Sequence, residues 1–328
     1  MNPPIVTIAV VGAGAVGSFF GAMLARAGHP VTLIGRAAHV EAIRRDGLQL
    51  QMAGRTETVR LRADTAIEAV RGADLVLFCV KSTDTEAVAR ELAPLLAPAA
   101  LVLSLQNGVE NAATLARHVT RHVTQTVVPA VVYVATALPA PGTVAHHGRG
   151  DLVIGAFGAA AVQDEGVSTR LQQLVQLFAT AGVPVRISAD VMAELWSKLM
   201  VNCAYNAVSG LAQAPYAQLA ALPAVVELQQ AVVREVVALA RAEGVDLPLE
   251  ASLQAMTRIA TTMPGQYSST AQDMARHRPS EIDHLNGFVA RRGCELGVPT
   301  PVNQALHALV KLLEAGQASG AMSARPHP

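Results

Sequence analysis

A short glycine-rich segment near the N-terminus constrains the fold of this 328-residue chain more than any other feature. It lies between a β-branched apolar run at 5–11 and a helical pattern at 16–27, and it consists of Gly12, Ala13, Gly14, Ala15, Val16 and Gly17. In a strand–turn–helix unit, the first glycine permits the tight turn, the second admits a pyrophosphate and the third allows close helix packing. The N–H groups of the helix N-terminus attract phosphate. We therefore predict a dinucleotide-binding turn; the alternative is a tight turn without a ligand.

The first 188 residues alternate apolar runs with helical segments. Besides the first run, apolar runs occupy 31–34, 75–80 and 101–105, with helical patterns between them. Runs that are apolar on both faces predict a parallel sheet covered by helices on both sides. The block 126–154, with Pro-Gly in its middle, predicts an antiparallel extension of that sheet. The expected fold class is α/β, with a Rossmann-type dinucleotide-binding domain over residues 1–188.

From residue 189 onward, apolar residues recur with the 3.6-residue period of helices, and few strand signals remain. The predicted helices lie at 191–209, 223–243, 250–262, 279–296 and 302–315. Gly244 and Gly297 follow two of them, where a left-handed residue commonly ends a helix. We expect an all-helical domain over residues 189–315 that binds substrate and carries the catalytic group. The tail at 316–328 is small and polar, so we predict that it is disordered.

Charge and composition exclude several kinds of partner. Lys and Arg number 25, as do Asp and Glu, and no basic run is present, so neither a nucleic acid nor a membrane surface is expected. The longest apolar stretch, at 126–138, is too short for a membrane-spanning helix. Three scattered cysteines and the lack of a signal-peptide pattern predict a soluble cytoplasmic protein, with a homodimer left open. His118 and His122 have helical spacing but no third ligand, so no metal is predicted.

The end of the second predicted strand indicates which nicotinamide cofactor fits. NAD-binding proteins usually have an acid there, which accepts a hydrogen bond from the ribose 2′-OH. Here the run 31–34 is followed by Gly35 and Arg36, and the next acid is Glu41. A guanidinium can bind a 2′-phosphate and stack on adenine. We therefore predict NADPH (NADP); the alternative is a solvated Arg36.

Polar residues also follow two later strands of the predicted sheet. Lys81 comes directly after the run 75–80, and Asn107 belongs to a Gln-Asn-Gly that follows 101–105. Ligands of open α/β sheets bind outside the carboxyl ends of the strands. We therefore place Lys81 and Asn107 at the cofactor site, although each alone could be an ordinary surface residue.

The helix at 191–209 carries three polar residues on an otherwise apolar surface. Lys198, Asn202 and Asn206 recur every four residues and so share one face, called here the polar face. Polar groups on a mostly buried helix need partners or line a cavity. An ammonium group can protonate the alkoxide that hydride transfer leaves on a ketone. The pattern indicates an active-site wall for ketone reduction; a solvent-exposed face is the alternative.

Two further segments leave a binding role and a structural role equally open. Residues 267–273 are rich in hydroxyl groups that could bind a carboxylate, but they could also begin a helix. Glu281 and Asp283 follow Pro279 in the expected first turn of the helix at 279–296. An acid in that position is favourable through the helix dipole alone.

Taken together, these segments resemble the ketopantoate reductases (2-dehydropantoate 2-reductases) over nearly the whole chain. The resemblance rests on 12–17, Arg36, 106–108, 198–206, 268–273 and 281–287. It implies NADPH-dependent reduction of ketopantoate, a small 2-oxo acid, to pantoate, as in pantothenate biosynthesis. It also implies roles for particular side chains: Lys198 as general acid, Asn107 and Glu281 against cofactor and substrate, and Asn202, Asn206 and Ser269 in substrate binding.

One position departs from the family pattern. Family members commonly have a further substrate-binding asparagine after the Lys–Asn helix, and here Tyr216 is nearest to that place. A related NADP-dependent 2-oxo-acid reductase or hydroxy-acid dehydrogenase with another substrate is therefore the alternative. A third hypothesis, an NADP sensor without turnover, is disfavoured because a sensor needs no proton donor such as Lys198.

Overall fold

The computed structural model describes residues 5–119 and 126–318. The chain folds into two compact units, Met1–Glu194 and Leu195–Pro328, so the division falls after residue 194 rather than after 188. The cofactor and substrate roles predicted for the two parts remain predictions. No helix in the described ranges is long and apolar enough to cross a lipid bilayer.

The first unit is built on a mixed sheet. In the described part of the chain its strands are β1 (Ile8–Val11), β2 (Val31–Ile34), β3 (Leu48–Met52), β4 (Arg55–Val59), β5 (Arg62–Asp64), β6 (Leu75–Phe78), β7 (Leu101–Ser104), β8 (Thr126–Ala140), β9 (Thr143–Ile154) and β10 (Val185–Ile187). Their order is β4-β3-β9-β8-β7-β6-β1-β2-β5, and β10 pairs with β9. The strands from β8 to β5 in that order are parallel. This confirms the predicted α/β fold with a Rossmann-type sheet.

Helices cover both faces of the parallel strands. They are α1 (Ala15–Arg26), α2 (Ala37–Asp46), α3 (Thr85–Leu92), α4 (Asn111–Val119), α5 (Ala159–Val162) and α6 (Glu165–Thr180). Val10 packs into a core shared with α1 and α6, whereas its neighbour Val11 faces a second core that contains Leu92 of α3 and Leu115 of α4. Because successive residues of a strand point to opposite faces, both faces must be apolar. Helix α4 was not among the sequence predictions.

The remaining strands extend the sheet. β8 and β9 form the predicted antiparallel pair, with Pro141 and Gly142 between them. β4 pairs antiparallel with β3 and ends at Val59. Ala53 and Gly54 both have positive φ, as a two-residue hairpin turn requires. They form the turn between β3 and β4, and β4 therefore begins at Arg55.

The second unit is helical, as predicted, and its described residues contain no strand. Its helices are α7 (Val191–Ala212), which begins within the first unit, α8 (Tyr216–Ala220), α9 (Pro223–Ala242), α10 (Leu249–Thr262), α11 (Ser269–Ala275), α12 (Asn286–Leu296) and α13 (Pro301–Ala318). Gly244 and Gly297 have φ of +77° and +68°, which confirms the predicted helix ends. Residues 316–318 of the expected disordered tail belong to α13, and 319–328 lie outside the described residues.

The helix predicted over 279–296 is wrong in its first part. A 3-10 turn, Ile282–His284, comes first, and α12 begins only at Asn286. Leu285, with φ −112° and ψ −105°, interrupts the helical backbone between them. The apolar periodicity of 282–289 continues across this break, so the sequence pattern did not show it.

Candidate functional site

The glycine-rich segment forms the turn between β1 and α1. The N–H groups of Gly12 and Ala13 both donate to the carbonyl oxygen of Ile34, at 3.0 and 2.9 Å. Gly12 has φ +100°, and a Cβ there would lie 2.6 Å from the carbonyl carbon of Cys79. A Cβ on Gly17 would lie 2.3 Å from the Gly12 oxygen. The fold itself therefore requires glycine at 12 and 17.

By contrast, no contact within the described protein requires a glycine at position 14. Its backbone is extended, with φ −80° and ψ −167°, and a Cβ would meet no described atom within 4 Å. It occupies the N-cap position of α1, where no side chain caps the first N–H groups of the helix. A phosphate could approach these N–H groups closely only if residue 14 lacks a side chain. The turn therefore fits the pyrophosphate of a dinucleotide.

Arg36 lies at the carboxyl end of β2, where it is exposed at the N-cap position of α2. Within residues 5–119 and 126–318 its guanidinium has no hydrogen-bond or ion-pair partner. The neighbouring strand-end acid, Asp64, pairs with Arg44 at 3.0 Å and accepts a hydrogen bond from the Ala66 N–H. The Ala66 hydrogen bond is the main cause that lowers the pKa of Asp64. A cation without a partner, beside an acid already paired, suits a 2′-phosphate better than a bare 2′-OH.

Lys81 and Asn107 follow the neighbouring parallel strands β6 and β7, so both lie at the carboxyl edge of the sheet. The Asn107 carbonyl accepts hydrogen bonds from Asn111 Nδ2 at 2.5 Å and from Ser82 Oγ at 3.3 Å. No sequence motif marks these two partners, Asn111 and Ser82. A Ser or Asn shortly after a strand is too common to mark a site without knowledge of what it contacts.

The structure brings together two of the predicted substrate residues within the second unit. On the polar face of α7, Lys198 and Asn202 are half-buried and Asn206 is buried. The Asn206 side-chain amide donates to Ser269 Oγ at 3.2 Å, across 63 positions of sequence. Ser269 is the exposed member of this hydrogen-bonded pair, because Asn206 is only 3% exposed.

Ser268, next to it, has a structural role. Its hydroxyl accepts a hydrogen bond from the Ala271 N–H at 3.0 Å and thus caps α11, and it donates to the Asn206 carbonyl at 3.2 Å. This confirms the helix-start alternative for Ser268. The two hydrogen bonds also fix α11 against α7 beside Ser269.

Glu281 is not in the first turn of an α-helix, which corrects the sequence interpretation. It is half-buried just before the 3-10 turn, five residues ahead of α12, so the dipole of that helix does not account for it. Its neighbours hold the segment. Ser280 donates twice to Glu314, from its N–H at 2.8 Å and its hydroxyl at 2.7 Å. The chain is therefore anchored immediately before Glu281.

Asp283 anchors the segment on the other side of Glu281. Its carboxylate contacts His307 Nε2 at 2.6 Å and Lys311 Nζ at 2.9 Å, both on α13. Partial burial favours the neutral acid, but the hydrogen bonds from His307 and Lys311 outweigh it and lower the pKa of Asp283. The short segment that carries Glu281 is thus tied to α13 at both ends.

Tyr216 begins α8 and is half-buried. Its ring packs against that of Tyr205, with centroids 4.7 Å apart, and burial raises its pKa to about 12. Tyr205 in turn donates its hydroxyl to the Met256 carbonyl at 2.9 Å. Position 216 therefore contributes an aromatic surface, where an asparagine would contribute an amide.

Metal-binding side chains do not cluster in the described ranges, which contain no group of three His, Cys, Asp or Glu residues placed to hold an ion. His118 lies 3.8 Å from Glu86, and His122 lies outside the described residues.

Comparison with known proteins covers both units. The family described as "Ketopantoate reductase PanE/ApbA" matches residues 8–159, and its C-terminal part matches residues 190–314. A 2-dehydropantoate 2-reductase of Halobacterium salinarum is 33% identical over 314 residues, which are 94% of this chain and 98% of the relative. The crystal structure of a PanE/ApbA family ketopantoate reductase from Ralstonia eutropha JMP134 is 51% identical, with a TM-score of 0.86 over 95% of this chain and 99% of that one. A ternary structure of D-mandelate dehydrogenase with NADH and anilino(oxo)acetate is 26% identical, with a TM-score of 0.87 over the same shares.

Proposed function

Because the chain belongs to the ketopantoate reductase family, a family of oxidoreductases, we propose that it reduces ketopantoate to pantoate with NADPH. The observation that carries the proposal is the polar face of α7. There Lys198 and Asn202 are half-buried beside Asn206, whose amide is hydrogen-bonded to Ser269. A cation and two amides on a helix that is otherwise mostly apolar suit a ketone that must be oriented and protonated.

The first unit provides the groups that would hold the cofactor. The N–H groups that follow Gly14 would bind the pyrophosphate, and the Arg36 guanidinium would bind the 2′-phosphate. Lys81 and Asn107, at the carboxyl edge of the sheet, complete the proposed cofactor site. When bound, NADPH supplies the hydride that is added to the C2 carbonyl carbon.

The second unit provides the groups that would act on the substrate. Lys198 gives its ammonium proton to the C2 oxygen, so that carbonyl, hydride and proton together become a secondary alcohol. Asn202, Asn206 and Ser269 offer amide and hydroxyl groups to the carboxylate and the other oxygens of the substrate. Glu281, held by its anchored neighbours, accepts hydrogen bonds from bound hydroxyl groups. We place the reaction in the cytoplasm, because three free cysteines are typical of a protein in a reducing compartment.

A second candidate substrate is a 2-oxo acid with an aromatic group. It is favoured by Tyr216, whose ring offers an apolar surface where family members commonly have an asparagine, and by the likeness to a D-mandelate dehydrogenase. In this case the acid–base role of Lys198 is the same, but the larger substrate group would pack against aromatic rings.

A substrate panel separates these candidates. Ketopantoate, 2-oxoisovalerate, pyruvate and phenylglyoxylate are each assayed with NADPH and with NADH, and cofactor absorbance is followed. The proposal expects the highest kcat/KM with ketopantoate and NADPH. Highest kcat/KM with phenylglyoxylate would establish the second candidate. Absence of turnover on all four acids, with NADPH still bound, would replace both by the sensor hypothesis.

A further inference from the structure

Buried polar side chains form one hydrogen-bonded network at the carboxyl ends of β6 and β7. Each is at most 6% exposed, and they are Ser82, Thr85, Ser104, Gln106 and Asn111. The adjoining strands are entirely buried and, apart from Ser104 itself, apolar. Burial of polar groups is costly unless all their hydrogen bonds are made, so a connected set at this edge of the sheet calls for an explanation.

Thr85 is the centre of the network. Its hydroxyl accepts a hydrogen bond from Gln106 Nε2 at 2.7 Å and donates to Asn111 Oδ1 at 2.8 Å. Gln106 also donates to the Val80 carbonyl at 3.0 Å, and its own oxygen accepts from Ser104 at 3.1 Å. The Thr85 hydroxyl thereby links the start of α3, which follows the loop after β6, to Gln106 in the loop after β7 and to the start of α4. These loops carry Lys81 and Asn107.

The other end of the network holds the carbonyl of Asn107. Asn111 Nδ2 donates to this oxygen at 2.5 Å and to Ser82 Oγ at 3.0 Å. Ser82 Oγ itself lies 3.3 Å from the Asn107 oxygen. The carbonyl therefore points into the protein and is saturated by internal donors.

The orientation of this carbonyl fixes the next N–H group. The peptide between Asn107 and Gly108 is trans, so the Gly108 N–H points away from the network. Gly108 has φ +91°, which only glycine adopts without strain. Among the described residues this N–H has no hydrogen-bond acceptor. It is thus a partly exposed backbone donor at the edge of the sheet where cofactors of such folds bind.

We propose that Thr85, Gln106 and Asn111 are positioning residues that hold the Asn107–Gly108 peptide so that the Gly108 N–H donates a hydrogen bond to the bound nicotinamide cofactor. The inference rests on the proposed function, because it assumes that this edge of the sheet binds NADPH. Without the network, the peptide rotates among several orientations, and binding must first select the productive one. The network therefore acts on cofactor affinity more than on folding.

Thr85→Val tests the network, since valine keeps the shape of threonine and lacks the hydroxyl. It leaves one N–H of Gln106 and the side-chain oxygen of Asn111 without partners, and we expect the Kd of NADPH to rise about tenfold. Thr85→Ser restores the hydroxyl and should bind NADPH like the parent. Thr300→Val is the matched control: it also removes a buried hydroxyl, but in the second unit, where Thr300 contacts the Val289 carbonyl at 3.5 Å.

The measurements are fluorescence titration with NADPH, thermal unfolding, and hydrogen exchange of the segment 105–111 with and without NADPH. NADPH should protect this segment in the parent and much less in Thr85→Val. A Thr85→Val protein with a lower Tm but a Kd within twofold of the parent would show a purely structural network and overturn the proposal. Equal losses in the valine and serine variants would do the same.

Two further outcomes complete the test. If Thr85→Val does not fold, Ser82→Ala replaces it; it removes one donor to the Asn107 carbonyl and should raise the Kd roughly two- to fivefold. A parent that binds neither NADPH nor NADH would overturn the proposed function and this inference with it. A parent that binds NADPH normally while no network variant changes the Kd overturns the inference alone.

Discussion

The buried imidazole of His39 accepts a hydrogen bond from the backbone N–H of Gly142, at 2.9 Å from Nδ1 and across 103 positions of sequence. Because Nδ1 accepts, the ring proton lies on Nε2, which is 3.1 Å from Ser18 Oγ and donates to it. The ring therefore joins α2 to α1 and to the turn of the β8–β9 hairpin. Burial lowers the pKa of His39, and the native ring is neutral.

This contact predicts that acid destabilises the first unit. In the unfolded chain His39 takes up a proton as the pH falls through its ordinary pKa of 6.5, whereas the native ring resists protonation until a lower pH. The unfolded state then binds more protons, so stability is present above that value and is lost below it.

The measurement is the Tm at about pH 7.5 and about pH 5.5, on either side of the unfolded pKa. His39→Asn is the comparison, because an amide oxygen can accept from Gly142 without titrating. The parent should lose more Tm on acidification than the variant does. Equal losses in both proteins would assign the acid sensitivity to other groups.

Substitution by alanine should have different effects at two glycines of the same turn: it should destabilise the fold at Gly12 and weaken cofactor binding at Gly14. Gly12→Ala forces a Cβ to within 2.6 Å of the Cys79 carbonyl carbon at a positive φ, so we expect a loss of at least about 2 kcal/mol in unfolding free energy. Gly14→Ala meets no described atom and should leave the Tm unchanged or slightly raised. It should nevertheless raise the Kd of NADPH about tenfold, because the methyl group occupies the approach of the pyrophosphate. Unchanged NADPH affinity in stable Gly14→Ala would argue against phosphate binding at this turn.

Replacement of Arg36 should distinguish the two nicotinamide cofactors. A charge-assisted contact with a 2′-phosphate is worth about 1.5–3 kcal/mol, so Arg36→Ala should weaken NADPH binding about ten- to a hundredfold and NADH binding far less. Titration of both cofactors against one preparation gives the two Kd values. If both rise equally, Arg36 stacks on adenine or supports the loop and does not read the phosphate.

Lys198→Ala should remove the proton donor while leaving the cofactor site intact. General acid catalysis contributes about 10²–10⁴-fold, so kcat should fall by at least that range while the Kd of NADPH stays within twofold. Steady-state kinetics and a titration on the same sample test both parts. Turnover within a few-fold of the parent would mean that Lys198 is only a solvated residue of α7.

Glu281 and Asp283 form a matched pair of acids in one segment. Glu281→Gln should melt like the parent but lose kcat/KM by an amount equivalent to about 2 kcal/mol, because an amide places a donor where substrate binding needs an acceptor. Asp283→Asn breaks the ion pairs with His307 and Lys311, so it should lower the Tm. The corresponding loss of unfolding free energy should be about 1 kcal/mol or less, because these pairs are half-exposed. Melting curves beside steady-state assays separate the two effects. A destabilised but fully active Glu281→Gln would contradict the substrate role.

Much of the candidate site follows from local sequence. The strand–turn–helix of β1, the Gly12 turn and α1 could be predicted, because glycine positions and apolar periodicity act over a few residues. The spacing of Lys198, Asn202 and Asn206 places them on one face of α7 wherever that helix lies. Their roles in the reaction remain proposals.

Contacts between segments far apart in the chain could not be predicted from local sequence. The sequence assigned Glu281 to a helical first turn, but the backbone at Leu285 departs from the helix although the apolar spacing runs on. Ser280 and Asp283 find their partners on α13, and nothing in the sequence pattern indicates those pairs. A polar side chain can form hydrogen bonds with many possible partners, and its position in the sequence does not indicate which of these partners lies next to it in the fold.

The amino-acid sequence alone is sufficient to predict the fold class, the glycine turn, the left-handed helix ends at Gly244 and Gly297, and the polar face of α7. Each depends on backbone preferences and periodicity that operate within one element. Three sets of contacts are visible only in the folded protein: Asn206 with Ser269, His39 with Gly142, and Thr85 with Gln106 and Asn111. Buried polar groups must be hydrogen-bonded, but which groups meet is set by the packing of elements far apart in the chain.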